Sequence, residues 1–159
     1  MTTLLNKNFL LKNIHHMLAL GFGSGLNKKA PGTLGTLVAI PFFLIINKIG
    51  ILFQLLFVVV IFILGIWSSN VTSKSLKQKD PSCIVIDEIA AFLLLLVLIN
   101  PNFYQLIYLF ILFRIFDIWK PYPISWLEKK YSGGFGIMID DIAAALMALI
   151  IYLITDYVR

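Results

Sequence analysis

The chain has 159 residues, of which 60% are hydrophobic and only 13% are charged, and its mean hydropathy is +0.93. A soluble domain has roughly 45–50% apolar and about 25% charged residues, so this composition excludes an ordinary soluble protein and places much apolar surface against lipid. The net charge of +5 suits anionic lipid headgroups or a phosphorylated substrate. No basic run is interleaved with aromatic residues, which indicates that nucleic acid is not a partner, and one cysteine excludes an internal disulfide.

Five apolar segments are predicted to be helices, because none alternates as a barrel strand does and a backbone in lipid must satisfy its own hydrogen bonds. They cover residues 34–46, 51–67, 89–99, 103–113 (with an extension to Trp119) and 142–154. Most are shorter than the about 20 residues of a typical span, so the short ones either cross or re-enter. We expect one all-α domain over residues 1–159, a small polytopic membrane bundle with four to five embedded helices. Residues 1–20 are expected to be an N-terminal interfacial segment.

The polar connectors between these segments predict an orientation. The long connectors cover residues 1–33, 68–88 and 114–141. If all five segments cross, these connectors share one face, which carries eleven of the 13 Lys and Arg residues, all except Lys48 and Arg159. The positive-inside rule places that face in the cytoplasm. Seven of the eight acidic residues, all except Asp156, lie on the same face, so the active site is expected there.

The first polar cluster is GFGSGLNKKAPGTLGT, residues 21–36. Its glycines permit close backbone approach, and the helix that follows would present free N–H groups to a phosphate, with a lysine beside it. The spacing matches neither a Walker loop nor a dinucleotide-binding fingerprint. The alternative is a flexible hairpin at the membrane surface. The candidate substrate-binding residues of this cluster are Gly23, Gly25, Lys28, Lys29 and Thr33.

The second cluster is KDPSCIVIDEIAAF, residues 79–92, with carboxylates at Asp80, Asp87 and Glu88. A helix dipole stabilises an acidic residue in its first turn by roughly 0.3–1 kcal/mol, which would account for Glu88. It accounts less well for two adjacent acids inside an apolar run. Ionisable groups at membrane depth usually have a function, so this cluster is a candidate site.

The third cluster is FRIFDIWKPYP, residues 113–123. Arg114, Asp117 and Lys120 recur every three residues, so they lie along one face of a helix that the prolines end. The alternative to a site is an i,i+3 ion pair that neutralises charge at the helix end. Asp117 is nevertheless able to pair with the arginine and also bind a metal.

The fourth cluster is GGFGIMIDDIAAAL, residues 133–146. Its glycines are predicted to form a flexible turn, after which Asp140 and Asp141 begin the last helix. One carboxylate would suffice to cap that helix. Adjacent helical residues point about 100° apart, so the two carboxylates are able to serve different ligands.

Taken together, six carboxylates fall on one face with no matching group of histidines or cysteines. Oxygen-only ligands suit hard cations, Mg²⁺ first and Mn²⁺ as an alternative. Arg114, Lys120 and Lys28 or Lys29 add anion binding. The combination indicates phosphate chemistry on a lipid.

Four stretches resemble the phosphatidylglycerophosphatase A family in order and spacing over residues 21 to about 150: GFGSGL...APGTLGT, IVIDE, FRIFDIWKPYPI and GGFGIMIDDI. The resemblance implies a Mg²⁺-dependent, multi-pass inner-membrane phosphatase of phospholipid biosynthesis. It would hydrolyse the terminal phosphomonoester of phosphatidylglycerophosphate to phosphatidylglycerol and phosphate. By position, the resemblance implies that the metal ligands are Asp80, Asp87, Glu88, Asp117, Asp140 and Asp141, with Arg114 and Lys120 as cations beside the phosphate.

The implied chemistry is metal-assisted hydrolysis with a catalytic set of Asp87, Arg114, Asp117, Asp140 and Asp141. Either member of the last pair is a candidate base for the attacking water, and one aspartate could instead be a nucleophile.

Two rival functions remain. A CDP-alcohol phosphotransferase also uses aspartates at a membrane, but its long Asp-Gly, Ala-Arg, Gly, Asp, Asp pattern is absent. A small cation transporter or scaffold predicts mid-helix acids with a path to the other face, which here has almost no charge.

Overall fold

All regular structure in residues 7–157, the part of the chain that the computed structural model describes, is helical. The elements are α1 (Lys7–Lys12), α2 (Ile14–Ala19), a 3₁₀ segment (Gly21–Leu26), α3 (Pro31–Ile46), α4 (Ile51–Leu76), α5 (Ile86–Ile99), α6 (Phe103–Trp119), α7 (Ile124–Lys130) and α8 (Gly133–Tyr157). The prediction of an all-α chain is confirmed. The first six residues of the expected interfacial segment, and Arg159, lie outside the described residues.

Each of the five predicted segments lies within a helix, and two of those helices are long and apolar enough to cross a membrane. These two are α4 and α8, with 26 and 25 residues, or about 38 Å each at roughly 1.5 Å per residue. The other three, α3, α5 and α6, have 16, 14 and 17 residues. Of the four to five embedded helices that the sequence predicts, the described residues therefore contain two with the length and hydropathy of a span.

Helix α5 lies at the centre of the bundle, packed against α3, α4 and α8. Its sequence, IDEIAAFLLLLVLI, is apolar on every face after the first turn, as expected of a helix that is buried all round. Ala90 and Ala91 are fully buried, and the Phe92 ring lies 5.6 Å from the Phe113 ring of α6. Burial of this helix brings the acidic residues of its first turn to the centre of one end of the bundle.

Helix α8 begins at Gly133, so the prediction of a glycine turn followed by a helix starting at Asp140 is wrong. Gly134 is held in the first turn of this helix by its close contact with α4. A Cβ on Gly134 would collide with the carbonyl oxygen of Ile66, and a Cβ on Gly65 of α4 would lie 2.5 Å from Met138 Cε. The close approach places the aspartate pair about two turns inside α8, not at its cap.

Helix α6 has clear boundaries at both ends. Asn102 and Gln105 form a capping box at the start, where the Asn102 side chain accepts a hydrogen bond from the Gln105 backbone N–H at 3.0 Å. The helix ends where Lys120 adopts a left-handed conformation (φ 45°) before Pro121. This turn directs the lysine back toward α8.

The N-terminal elements pack on the polar half of α4. His16 of α2 is buried, and its Nδ1 lies 3.0 Å from Thr72 Oγ1. The described part of the expected interfacial segment is therefore joined to the bundle.

Candidate active site

The structure brings all six predicted carboxylates to one cavity of about 380 Å³. The cavity lies where α3 and α5 begin, α6 ends and α8 passes, with the connector before α5 at its edge. Four of the acids are at most 8% exposed. The acidic residues of the wall are Asp80, Asp87, Glu88, Asp117, Asp140 and Asp141.

Four of the predicted cationic and polar residues also line this cavity: Lys29, Thr33, Arg114 and Lys120. The cavity is not lined by the other predicted binding residues, Lys28, Gly23 and Gly25. Gly25 instead packs on the Cys83 carbonyl, where a Cβ would collide. The first glycines of the cluster thus shape the 3₁₀ segment, and only its last part, from Lys29 into the first turn of α3, reaches the cavity.

Three carboxylates form the tightest group in the cavity. One oxygen each of Asp87, Glu88 and Asp141 lies within 4.8 Å of the other two. Among the described residues, Glu88 Oε2 and Asp141 Oδ2 are buried without a hydrogen-bond partner. Buried carboxylates this close repel each other unless a cation joins them. The donor set therefore fits a hard divalent cation such as Mg²⁺.

Arg114 connects the acids of α5 and α6 with α3. Its Nη1 lies 2.5 Å from Asp117 Oδ2 and 3.6 Å from Glu88 Oε1, and it donates a hydrogen bond to Thr36 Oγ1 at 3.4 Å. The i,i+3 ion pair with Asp117 is thus present, and it lies inside the cavity wall. The ion pair and the site are therefore the same feature.

Lys120 pairs with the other aspartate of α8. Its Nζ lies 2.6 Å from Asp140 Oδ2 and 3.1 Å from Glu128 Oε1 of α7. Burial lowers the pKa of the lysine, but the charge and hydrogen bond of Asp140, together with Glu128, outweigh it and raise the pKa above its ordinary value. Lys120 is therefore stabilised in its positively charged form.

Gly32, Thr36 and Glu128 belong to this site, although they were not among the predicted site residues. A Cβ on Gly32 would collide with Glu88 Oε1 and would lie 3.0 Å from both Nη atoms of Arg114, so glycine is needed for α3 to approach this ion pair. No side chain caps the first turn of α3, which leaves its N–H groups to other acceptors at the cavity. The feature of the sequence that could have indicated Gly32 and Thr36 is the density of small residues in APGTLGT.

The acidic side chains outnumber the basic ones in the cavity wall by six to three, since Lys29, Arg114 and Lys120 are the basic residues. The three excess negative charges attract cations. The helix N-termini of α3 and α5 point at the same space and favour anions. A cavity with both properties is suited to a cation together with a phosphate.

The comparisons with known proteins agree with this chemistry. The phosphatidylglycerophosphatase A family profile matches residues 17–156. A protein named "Phosphatidylglycerophosphatase A" from Escherichia coli K12 is 38% identical over 139 residues, 87% of this chain and 81% of that one. A protein of the same name from Haemophilus influenzae is 38% identical over 153 residues, 95% of this chain and 94% of that one.

A Bacteroides thetaiotaomicron protein named "Putative phosphatidylinositol-3-phosphatase" is 34% identical over 150 residues, 89% of this chain and 93% of that one. No solved structure matches the chain. All three names describe phosphatases that act on a phospholipid headgroup. With a family profile that covers most of its length, the chain belongs to the phosphatidylglycerophosphatase A family.

Proposed function

We propose that the chain hydrolyses the terminal phosphomonoester of phosphatidylglycerophosphate, with Mg²⁺ bound, as a step of phospholipid biosynthesis. The ester P–O bond breaks and a bond forms between phosphorus and a water oxygen, which yields phosphatidylglycerol and inorganic phosphate. Membership of the family supports a phosphoric monoester hydrolase. The observation that carries the proposal is the single cavity that holds six carboxylates, Arg114 and Lys120.

Mg²⁺ would be held by Asp87, Glu88 and Asp141, whose oxygens form the tight group. When bound, it would offset charge on the phosphoryl oxygens and make a water molecule more acidic. Asp80 and Asp117 complete the proposed ligand set from the cavity wall.

The remaining residues bind and orient the phosphate. Arg114 donates toward phosphoryl oxygens from one side, and the uncapped N–H groups at the start of α3, near Thr33 and Lys29, donate from the other. Asp117 holds the guanidinium in place through its 2.5 Å contact. This arrangement stabilises negative charge that builds up as the phosphoryl group transfers.

Asp140 is proposed to accept the proton of the attacking water. Its Oδ2 is held by Lys120, and its Oδ1 is buried with no hydrogen-bond partner among the described residues. Asp141 belongs to the metal-binding group instead. The two adjacent aspartates therefore have different proposed roles.

The orientation and domain organisation are part of the proposal. We place the chain, one domain over residues 1–159 with 1–20 at the interface, in the cytoplasmic membrane with four to five embedded helices and its cavity facing the cytoplasm. Exposed aromatic residues at both ends of the bundle support this placement, since such residues favour membrane interfaces. They are Trp119, Tyr122 and Trp126 near the cavity and Phe103, Tyr104 and Tyr157 at the other end.

A cation transporter would need acidic side chains along a path between the two faces. In the described residues the acids gather at the cavity, with Glu128 beside it and Asp156 near the far end of α8. This distribution favours an enzyme.

The test is phosphate release by the purified protein in detergent, with and without Mg²⁺. Phosphatidylglycerophosphate and phosphatidylinositol 3-phosphate are compared, because the relatives are named for these two headgroups. We expect Mg²⁺-dependent release with a preference for phosphatidylglycerophosphate. Absence of release from this lipid with any divalent metal would overturn the proposal, and a preference for the inositol lipid would change its substrate.

A further inference from the structure

We infer that an apolar groove on the outer face of α6 binds one acyl chain of the lipid substrate; this inference rests on the proposed function. The groove has a volume of about 440 Å³, and its accessible walls are entirely apolar. It is lined by Phe110, Ile111, Arg114, Ile115, Ile118 and Trp119.

The groove adjoins the acidic cavity, because Arg114 and Ile118 line both. Since the groove has no polar wall, the arginine contributes only its aliphatic stem there, while its guanidinium contacts Asp117 and Glu88 in the cavity. Arg114 therefore marks the boundary between a polar and an apolar compartment. A molecule with an anionic head and an apolar tail fits across that boundary.

The length of the groove matches one leaflet of a bilayer. Phe110 and Trp119 are nine residues apart on α6, which corresponds to about 14 Å along the helix axis. The hydrocarbon core of a bilayer is about 30 Å thick, so one leaflet is close to 15 Å. Trp119 is 75% exposed at the cavity end of α6, as expected of an interfacial anchor. An acyl chain extending from the interface toward the midplane would follow the groove.

Other exposed apolar surfaces of the described residues lack this connection. The lipid-facing residues of α4, such as Ile63, line neither the cavity nor the groove. The larger cavity around Tyr108 and Tyr152 lies at the opposite end of α6 and α8 from the acids. Position beside the phosphate-binding residues thus distinguishes the α6 groove from a face that only contacts bulk lipid.

Ile111→Trp tests the inference by filling the groove one turn away from Arg114. Ile63→Trp on α4 is the matched control, since the two isoleucines are 49% and 58% exposed. Each variant is assayed with diacyl phosphatidylglycerophosphate in mixed micelles and with the same headgroup after removal of both acyl chains. Ile111→Trp is expected to raise KM for the diacyl lipid about fivefold to tenfold through lost packing contacts, and to leave the deacylated substrate unchanged.

A second measurement uses the wild-type chain, so it does not depend on a variant that folds. A substrate with a photoactivatable group in its acyl chain is expected to label residues 103–119 and to spare residues 51–67. Four outcomes would each overturn the inference. They are an equal loss of activity on both substrates, an equal effect of Ile63→Trp, no effect of either variant, and no preferential labelling of α6. If the wild-type protein released phosphate from neither substrate, the proposed function itself would fail.

Discussion

Replacement of Lys120 by Met tests the electrostatic geometry of the cavity. Lys120 Nζ lies 2.6 Å from Asp140 Oδ2, and Asp140 is only 3% exposed. At an effective dielectric constant of about 20, the Coulomb attraction at this distance is roughly 6 kcal/mol, part of which dehydration offsets. Loss of one partner leaves a buried unpaired charge, so we expect the free energy of unfolding to fall by about 3–5 kcal/mol. The contact with Glu128, whose side chain is 43% exposed, adds less than about 1 kcal/mol.

The measurement is an SDS titration in mixed micelles, with helical circular dichroism as the signal. Lys129→Met removes an exposed lysine of the next helix and is expected to change the free energy by no more than about 0.5 kcal/mol. Adding Asp140→Asn to Lys120→Met removes the unpaired charge and should recover at least half of the loss. A change below about 1 kcal/mol for Lys120→Met, or no recovery in the double variant, would refute the reasoning.

Three further predictions concern activity. Asp141→Asn should raise the Mg²⁺ concentration needed for half-maximal phosphate release. Asp140→Asn should instead lower kcat about 10²–10⁴-fold even at saturating Mg²⁺. Identical metal titrations for the two variants would contradict their separate roles. Gly32→Ala should lower kcat/KM, because its Cβ would collide with Glu88 Oε1 and lie 3.0 Å from the Arg114 guanidinium. Gly50→Ala, whose Cβ would meet only Phe53 at 3.9 Å, should be neutral, so equal kinetics of the two variants would be evidence against this close packing. Chelation with EDTA should abolish phosphate release and added Mg²⁺ should restore it, and full activity in EDTA would exclude the proposed ion.

The helices could be predicted because hydropathy identifies them locally. The apolar runs correctly located α4 and the continuation of α6 to Trp119. The start of α8 could not be predicted in the same way, because Gly134 is held in the first turn of the helix by contact with Ile66 and Asn70 of α4. Glycine-rich sequence favours a turn locally, and only the partner helix reverses that preference.

The gathering of the acidic residues in one cavity could be predicted, because charged residues are rare in an apolar chain and are therefore informative. The cationic residues near the helix ends were harder to assign to the cavity from the sequence. Lys28 and Lys29 are equivalent in sequence, yet only Lys29 lines the cavity, since the start of α3 determines which one faces it. The glycines of this cluster were predicted to permit close backbone approach, but the partners of Gly32, which are Glu88 and Arg114, lie 56 and 82 residues later and could not be identified.

Two adjacent carboxylates inside α8 serve different partners because they point about 100° apart. Asp141 faces the acids of α5, and Asp140 faces Lys120, which lies just beyond the end of α6. The contact of Gly134 with Ile66 of α4 is under two turns from this pair, so it holds α8 at the rotation that separates them. A one-residue slip of α8 would turn both carboxylates by about 100° and change which of them faces the acids of α5 and which faces Lys120. The glycines that resemble a flexible turn therefore hold the register of the site.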